Sequence, residues 1–177
     1  MVAEDSGCCS YLFGSGGEFI LVDPLSDVDR FTKQVQMERG KIVGVMDTHV
    51  HADHLSGTRE IQKLTNCPIY MYQTSPVQFP FVPLEERDYR MAGLRIRVLH
   101  TPGHAPEHMS LLVEDEAILT GDTLLVGDVG RIDLGRGDSN QLYDSIFHKL
   151  LKLQDRSKCS LAILGKRTLS QAILLPR

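Results

Sequence analysis

The chain has 177 residues, 42% hydrophobic and 24% charged, which suits one soluble domain with one substantial core. A formal net charge of −4 argues against a broad nucleic-acid footprint, and no apolar run is long enough to cross a bilayer. The start, "MVAEDSGCCSYLFG", lacks the basic-then-apolar order of a secretory signal. Cysteines stand at 8, 9, 67 and 159 with no C-x-x-C pair, so neither a redox dithiol nor a zinc knuckle is indicated, and a reducing cytoplasm is expected. Cys8 and Cys9 read as small residues opening a buried strand.

"SYLF" and "EFILVD" flank "GSGG" and predict a hairpin. "SDVDRFTKQVQMERG" predicts a helix that Ser26 caps, with Val28, Phe31 and Val35 as its apolar stripe and Gly40 as its stop. "KIVGVMD" is a buried-type strand, "SGTREIQKLT" a short helix and "PIYMY" a further strand. Residues 73–87, with three prolines, read as a loop. "YRMAGLRIRVLH" reads as one half-solvated strand, with Leu94, Ile96 and Val98 inward and Arg95 and Arg97 outward. "HMSLLVEDEAILTGD" is a hairpin turning at Glu114–Glu116, and "LLVGDVGRIDLGRGD" a Gly/Asp-rich loop. "SNQLYDSIFHKLLKLQD" is an amphipathic helix that Ser139 or Asp138 caps, with Leu142, Ile146, Leu150 and Leu153 on one face.

Helices and strands alternate, and the strongest polar clusters follow strands. This predicts one layered α/β domain with its chemistry on loops at one sheet edge. Six of the seven histidines fall in or beside two of those clusters, "DTHVHADH" at 47–54 and "TPGHAPEH" at 101–108.

Neutral imidazole is a common metal ligand. On an extended strand His49 and His51 would stand roughly 6.5 Å apart, too far for two bonds of roughly 2 Å to one metal, so this segment must curl. His54 and Asp53 add a further imidazole and a hard oxygen. Pro102–Gly103 predicts a tight turn that fixes His104. His108 suits a ligand role or a hydrogen-bonding one, His100 a structural role, and His148 a solvated position. Asp122 follows a buried strand beside Gly121, which lets the backbone come close, and so is placed to meet a metal; Asp128 and Asp133 are alternatives.

"THVHADH", "TPGHAPEH" and "LTGD" resemble, in order and spacing, the metal-binding motifs of the metallo-β-lactamase superfamily. With the "VDP" strand the resemblance covers roughly residues 8–155 of the domain at 1–177, leaving 156–177 as a divergent tail. It implies an αββα sandwich with the metal at the shared edge of the sheets. "LLVGDVGRIDL" is similar to the persulfide dioxygenase branch, nearest the bacterial forms often fused to rhodanese domains. That branch implies one non-haem Fe(II) on His49, His104 and Asp122, with His51, Asp53 and His54 around them. The implied reaction takes glutathione persulfide, O2 and water to glutathione and sulfite. Arg131 suits a clamp for the glutathione carboxylate, or equally a salt bridge to Asp128 or Asp133. The resemblance leaves room for a homodimer and a separate rhodanese partner.

The sequence departs from the family at its end. "CSLAIL" reads as a strand, but the Pro-Ala-His or Pro-Gly-His turn that normally follows is not found in "GKRTLSQAILLPR". The alternative reading is a zinc hydrolase of the glyoxalase II or lactonase type. There His49, His51 and His104 would hold one Zn(II), Asp53 and His54 a second, and Asp122 would bridge them. A third reading is a catalytically weak metal-binding protein.

Overall fold

The computed structural model describes residues 9–52, 55–125, 127–133, 136–155 and 160–161. Two five-stranded sheets face each other. The first runs in the order β1-β2-β3-β4-β5: Tyr11–Ser15, Glu18–Val22, Lys41–Met46, Ile69–Tyr72 and Val82–Leu84. The second runs β12-β9-β8-β7-β6: Ser160–Leu161, Ala117–Leu119, Met109–Val113, Leu94–His100 and Asp88–Met91. A small antiparallel pair, β10 (Leu124–Leu125) and β11 (Asp128–Val129), lies in the Gly/Asp-rich loop.

Strand alternation sorts the apolar residues into layers. Tyr11, Phe13, Ile20, Val22 and Met46 of the first sheet pack with Ile96, Val98, Met109, Leu111 and Leu119 of the second, filling the space between the sheets. Leu12, Phe19, Leu21 and Val45 point the other way, onto Phe31 and Val35 of helix α1 (Asp29–Met37) and Ile61 of α2 (Thr58–Thr65). On the outer face of the second sheet, Leu112 and Ile118 pack against Leu150 of the last helical segment. The layers are therefore αββα, as the resemblance implies. Among the described residues no helix is long and apolar enough to cross a membrane.

Local structure departs from the sequence reading at several points. The first helix has no side-chain cap; Ser26 offers only its carbonyl, to the Val28 N–H. The stretch from 73 to 87 is not all loop, because Val82–Leu84 adds a parallel edge strand to β4. "YRMAGLRIRVLH" is a hairpin rather than one strand, turning at Ala92–Gly93 so that Asp88–Met91 pairs with Leu94–Arg97. Cys9 is exposed. The last helix begins as α3 (Ser139–Tyr143), with the Asp138 carboxylate accepting from Asn140 and Gln141 N–H. It then widens to a π-helix over Asp144–Leu150 and tightens to a 3-10 turn over Leu151–Asp155. Leu142, Ile146 and Leu150 are buried as expected. Cys8, Asp53, His54 and most of the divergent tail lie outside the described residues.

Candidate metal centre

Four strands deliver the site. β2 leads to Asp23, β3 runs into Asp47, Thr48 and His49, β7 leads to Thr101 and His104, and β9 leads to Gly121 and Asp122. The Met109 N–H donates to the Thr48 carbonyl at 2.9 Å, tying the first histidine loop to the second sheet. Two glycines permit the approach. Gly121 has φ +48°, and a Cβ there would stand 2.6 Å from His108 Nε2 and 2.8 Å from Thr48 Oγ1. Gly103, at φ +142°, passes so near Leu142 that a Cβ would stand 2.4 Å from its Cα.

His49, His104 and Asp122 converge, each offering one ligand atom within 4.8 Å of the others. Asp122 Oδ2 lies 3.9 Å from His49 Nε2 and 3.7 Å from His104 Nε2. Two metal–ligand bonds of about 2.1 Å reach at most about 4.2 Å across an ion, so these separations fit one shared centre. The donor set, two imidazoles and one carboxylate, suits Fe(II) and other borderline metals.

Hydrogen bonds orient these side chains. The His104 Nδ1–H donates to the Arg131 carbonyl at 2.7 Å, leaving the Nε2 lone pair toward Asp122. The Thr48 hydroxyl donates to Asp23 Oδ2 at 2.9 Å, so its oxygen accepts from His49 Nδ1 at 3.0 Å, and His49 too presents a bare Nε2. His108 is no part of the converging group. It is fully buried, its Nδ1 meets the Thr101 and Thr123 hydroxyls at 3.0 Å each, and its Nε2 accepts the Asp122 backbone N–H at 3.0 Å. Full burial, aided by the neighbouring histidines and partly opposed by Asp23, pushes its pKa down to about 3. His108 therefore stays neutral and fixes the backbone that carries Asp122.

His51, whose ring centre lies 4.2 Å from that of His49, falls in a second group with Asp23 and Asp47. Its Nε2 lies 3.2 Å from Asp23 Oδ1 and 3.9 Å from Asp47 Oδ1. Asp23 also accepts the Thr48 N–H at 2.7 Å, and Asp47 accepts the Ser56 and Thr58 hydroxyls at 2.8 Å each. Burial first, then the Asp23 charge, raises the Asp47 pKa to about 6. Burial disfavours a charged His51, but Asp23, Asp47 and Asp122 outweigh it and lift the His51 pKa to about 9. The sequence reading missed Asp23 and Asp47 as site residues; the signal available was one Asp just past each of two buried strands.

Arg131 is exposed, and its Nε and Nη2 donate to the two oxygens of Asp133 at 2.9 and 3.0 Å. Of its two expected roles, this geometry is the loop-bracing salt bridge. Neither Asp128 nor Asp133 belongs to the converging group. His100 is structural, stacked on Tyr72 with 4.3 Å between ring centres, and His148 is half exposed beside Asp144.

The family profile described as "Metallo-beta-lactamase superfamily" matches residues 4–165. The chain belongs to the metallo-β-lactamase superfamily. Its αββα layers and the placement of the histidine loops at the strand ends follow from that membership. The crystal structure of ETHE1 from Myxococcus xanthus is similar at 30% identity and a TM-score of 0.77, over 97% of this chain and 77% of that one. A metallo-β-lactamase structure from Staphylococcus aureus subsp. aureus COL is 32% identical with a TM-score of 0.72, over 85% of this chain and 50% of that one. Hydroxyacylglutathione hydrolase from Francisella tularensis subsp. novicida is 32% identical over 146 residues, 81% of this chain. The chain spans 57% of the length of that relative.

Proposed function

We propose that this superfamily member is a mononuclear non-haem Fe(II) sulfur dioxygenase that oxidises the persulfide of glutathione, or of a related small thiol, to sulfite. The observation that carries the reading is the convergence of His49, His104 and Asp122 beside a second group whose carboxylates already hold hydroxyl and backbone donors. A single ion held by the first group would leave positions for a sulfur ligand and O2, and Fe(II), unlike zinc, could pass electrons from the persulfide sulfur, which is oxidised to sulfite, to O2, which is reduced. The likeness to ETHE1 over 97% of the chain supports the same branch as the "GDVGRIDL" stretch.

The chain's own groups supply orientation. The Arg131 carbonyl and the Thr48 hydroxyl hold the two imidazoles in the tautomer that keeps Nε2 bare. His108 and the Thr101–Thr123 hydroxyl pair hold the Asp122 backbone. His49 and His104 are buried while Asp122 is 36% exposed on its side chain, so the centre opens to solvent on the Asp122 side, where a thiol tail can enter. A reducing cytoplasm suits such a substrate and the free Cys9 and Cys67.

A zinc-dependent thioesterase is the second reading, supported by the likeness to hydroxyacylglutathione hydrolase. It requires His51 as a ligand, with Asp53 and His54 on a second ion. The hydrogen bond to Asp23 engages His51 Nε2, so in that reading Nδ1 would be the ligand atom. Protein purified without oxygen should hold about one iron per chain and, given glutathione persulfide, consume O2 and release sulfite, doing neither with glutathione alone. A zinc-loaded protein that hydrolyses a glutathione thioester, with an iron-loaded form that leaves dissolved O2 unchanged, would overturn the dioxygenase reading.

A further inference from the structure

Glu107 takes no part in the chemistry above, yet its carboxylate is 1% exposed. A buried carboxylate is costly unless it is paired and hydrogen-bonded. Glu107 is both, and its partners come from two other loops. One oxygen accepts the Val50 N–H at 3.3 Å, between His49 and His51 in the metal loop. The other accepts Nη2 of Arg136 at 3.1 Å, in the Gly/Asp-rich loop. That loop is also tied down by the Asp138 N–H, which donates to the Gly103 carbonyl at 2.8 Å, one residue before His104.

Three loops thus meet on one buried carboxylate, and the product is a guanidinium held in place. Arg136 is 49% exposed, and Glu107 is its only ion-pair or hydrogen-bond partner among the described residues. One donor of the fork is spent on Glu107, and half of the side chain is open to solvent. Arg131 differs: it is 69% exposed and has both Nε and Nη2 on Asp133, so a carboxylate would have to displace an existing two-point pair.

We infer that Arg136 binds a carboxylate of the substrate's peptide tail, and that Glu107 is the positioning residue that holds it against the metal loop. The inference rests on the reading that the substrate is a glutathione derivative. Glutathione is the thiol released whether a persulfide or a thioester is consumed, so its binding can be tested apart from the choice of reaction.

The experiment is calorimetric titration of the full, metal-loaded chain with glutathione and with glutathione diethyl ester, in which both carboxylates are capped. Wild type should bind glutathione about tenfold or more tightly than the diester, the range of one charge-assisted hydrogen-bond pair. Arg136→Ala should abolish that preference while changing diester affinity by no more than about twofold. Arg136→Gln, which keeps an N–H for Glu107 and so protects the fold, should do the same. Arg136→Lys should keep only part of the preference, because it retains the charge without the fork. Glu107→Gln should lower the acid-to-ester ratio at unchanged metal content, a readout that simple destabilisation would not move. Three results would overturn the assignment: no preference in wild type, full preference in Arg136→Gln, or loss of preference in Arg131→Ala instead. Failure of O2 uptake with the persulfide would sink the dioxygenase reading while leaving the binding result intact.

Discussion

The group of His49, His104 and Asp122 and the group of Asp23, Asp47 and His51 use the same residue types and are joined through Thr48, but their hydrogen bonds run in opposite directions. In the first, the far nitrogens of both imidazoles are tied and the near ones are presented together with a carboxylate. In the second, the carboxylates receive the donors: the Thr48 N–H and hydroxyl, the Ser56 and Thr58 hydroxyls, and His51. His51 meets Asp23 through Nε2, and the charges of Asp23, Asp47 and Asp122 outweigh burial and lift its pKa to about 9 in the metal-free chain. Residue type nominates both groups as metal sites; we propose that the direction of the hydrogen bonds separates a ligand set from the scaffold that holds it.

The largest test of that distinction removes ligands. His49→Ala, His104→Ala and Asp122→Ala should each empty the site, read as metal per chain by elemental analysis. Asp23→Asn should keep a metal at roughly 10–100-fold lower affinity, the usual loss when an outer hydrogen-bond partner is removed. The same range is expected for His54→Ala. If Asp23→Asn or His54→Ala empties the protein as completely as His49→Ala, the two groups are not ligand set and scaffold, and the dinuclear hydrolase reading gains.

The candidates for the converging group were legible in the sequence because histidine is scarce and here comes in two runs, each at a strand end, and because Gly121 beside Asp122 marked a close backbone approach; the choice of His49, His104 and Asp122 among them is what the family resemblance implies. The scaffold was harder to read. Asp23 and Asp47 are single acids after apolar strands, a pattern that ordinary turns share, and Thr48, Thr101 and Thr123 carry no signal of their own. Their roles depend on which strands become neighbours across the two sheets. The layers were legible for the opposite reason, since alternation fixes which face of each strand is apolar. The break at Ala92–Gly93 was hidden because Met91 and Leu94 continue the apolar pattern on both sides of the turn. The π-helix over Asp144–Leu150 keeps Ile146 and Leu150 on the buried face, so the periodicity did not betray it.

Acidity affects the two regions in different windows. His108 has a depressed pKa in the folded chain, so between its unfolded value near 6.5 and about 3 the unfolded state binds more protons. Its contribution to stability is full above that window and is lost as pH falls through it. His51 runs the other way: its folded pKa of about 9 makes its contribution full below about 6.5, and rising pH removes it up to about 9. Denaturant titrations of metal-free protein should therefore show stability falling as pH rises above about 6.5, while on the acid side the His108 loss is opposed by Asp47, whose raised pKa of about 6 adds stability as pH falls through it. His108→Gln should leave only the Asp47 gain on the acid side, and His51→Gln should flatten the alkaline side. An acid limb unchanged in His108→Gln would assign that limb to other groups.

The smallest effect tests what keeps the second group closed. Asp47 holds two hydroxyls, and Ser56→Ala removes one while Thr58 keeps the other at 2.8 Å. The loss of one hydrogen bond to a buried carboxylate should cost about 1.5–3 kcal/mol of stability, measurable as a shift of the denaturation midpoint. Metal content should stay at about one ion per chain, because Asp23 still holds the Thr48 donors and His51 Nε2. Uptake of a second ion by Ser56→Ala would show that the serine hydroxyl, rather than these contacts of Asp23, had kept the second group from binding metal.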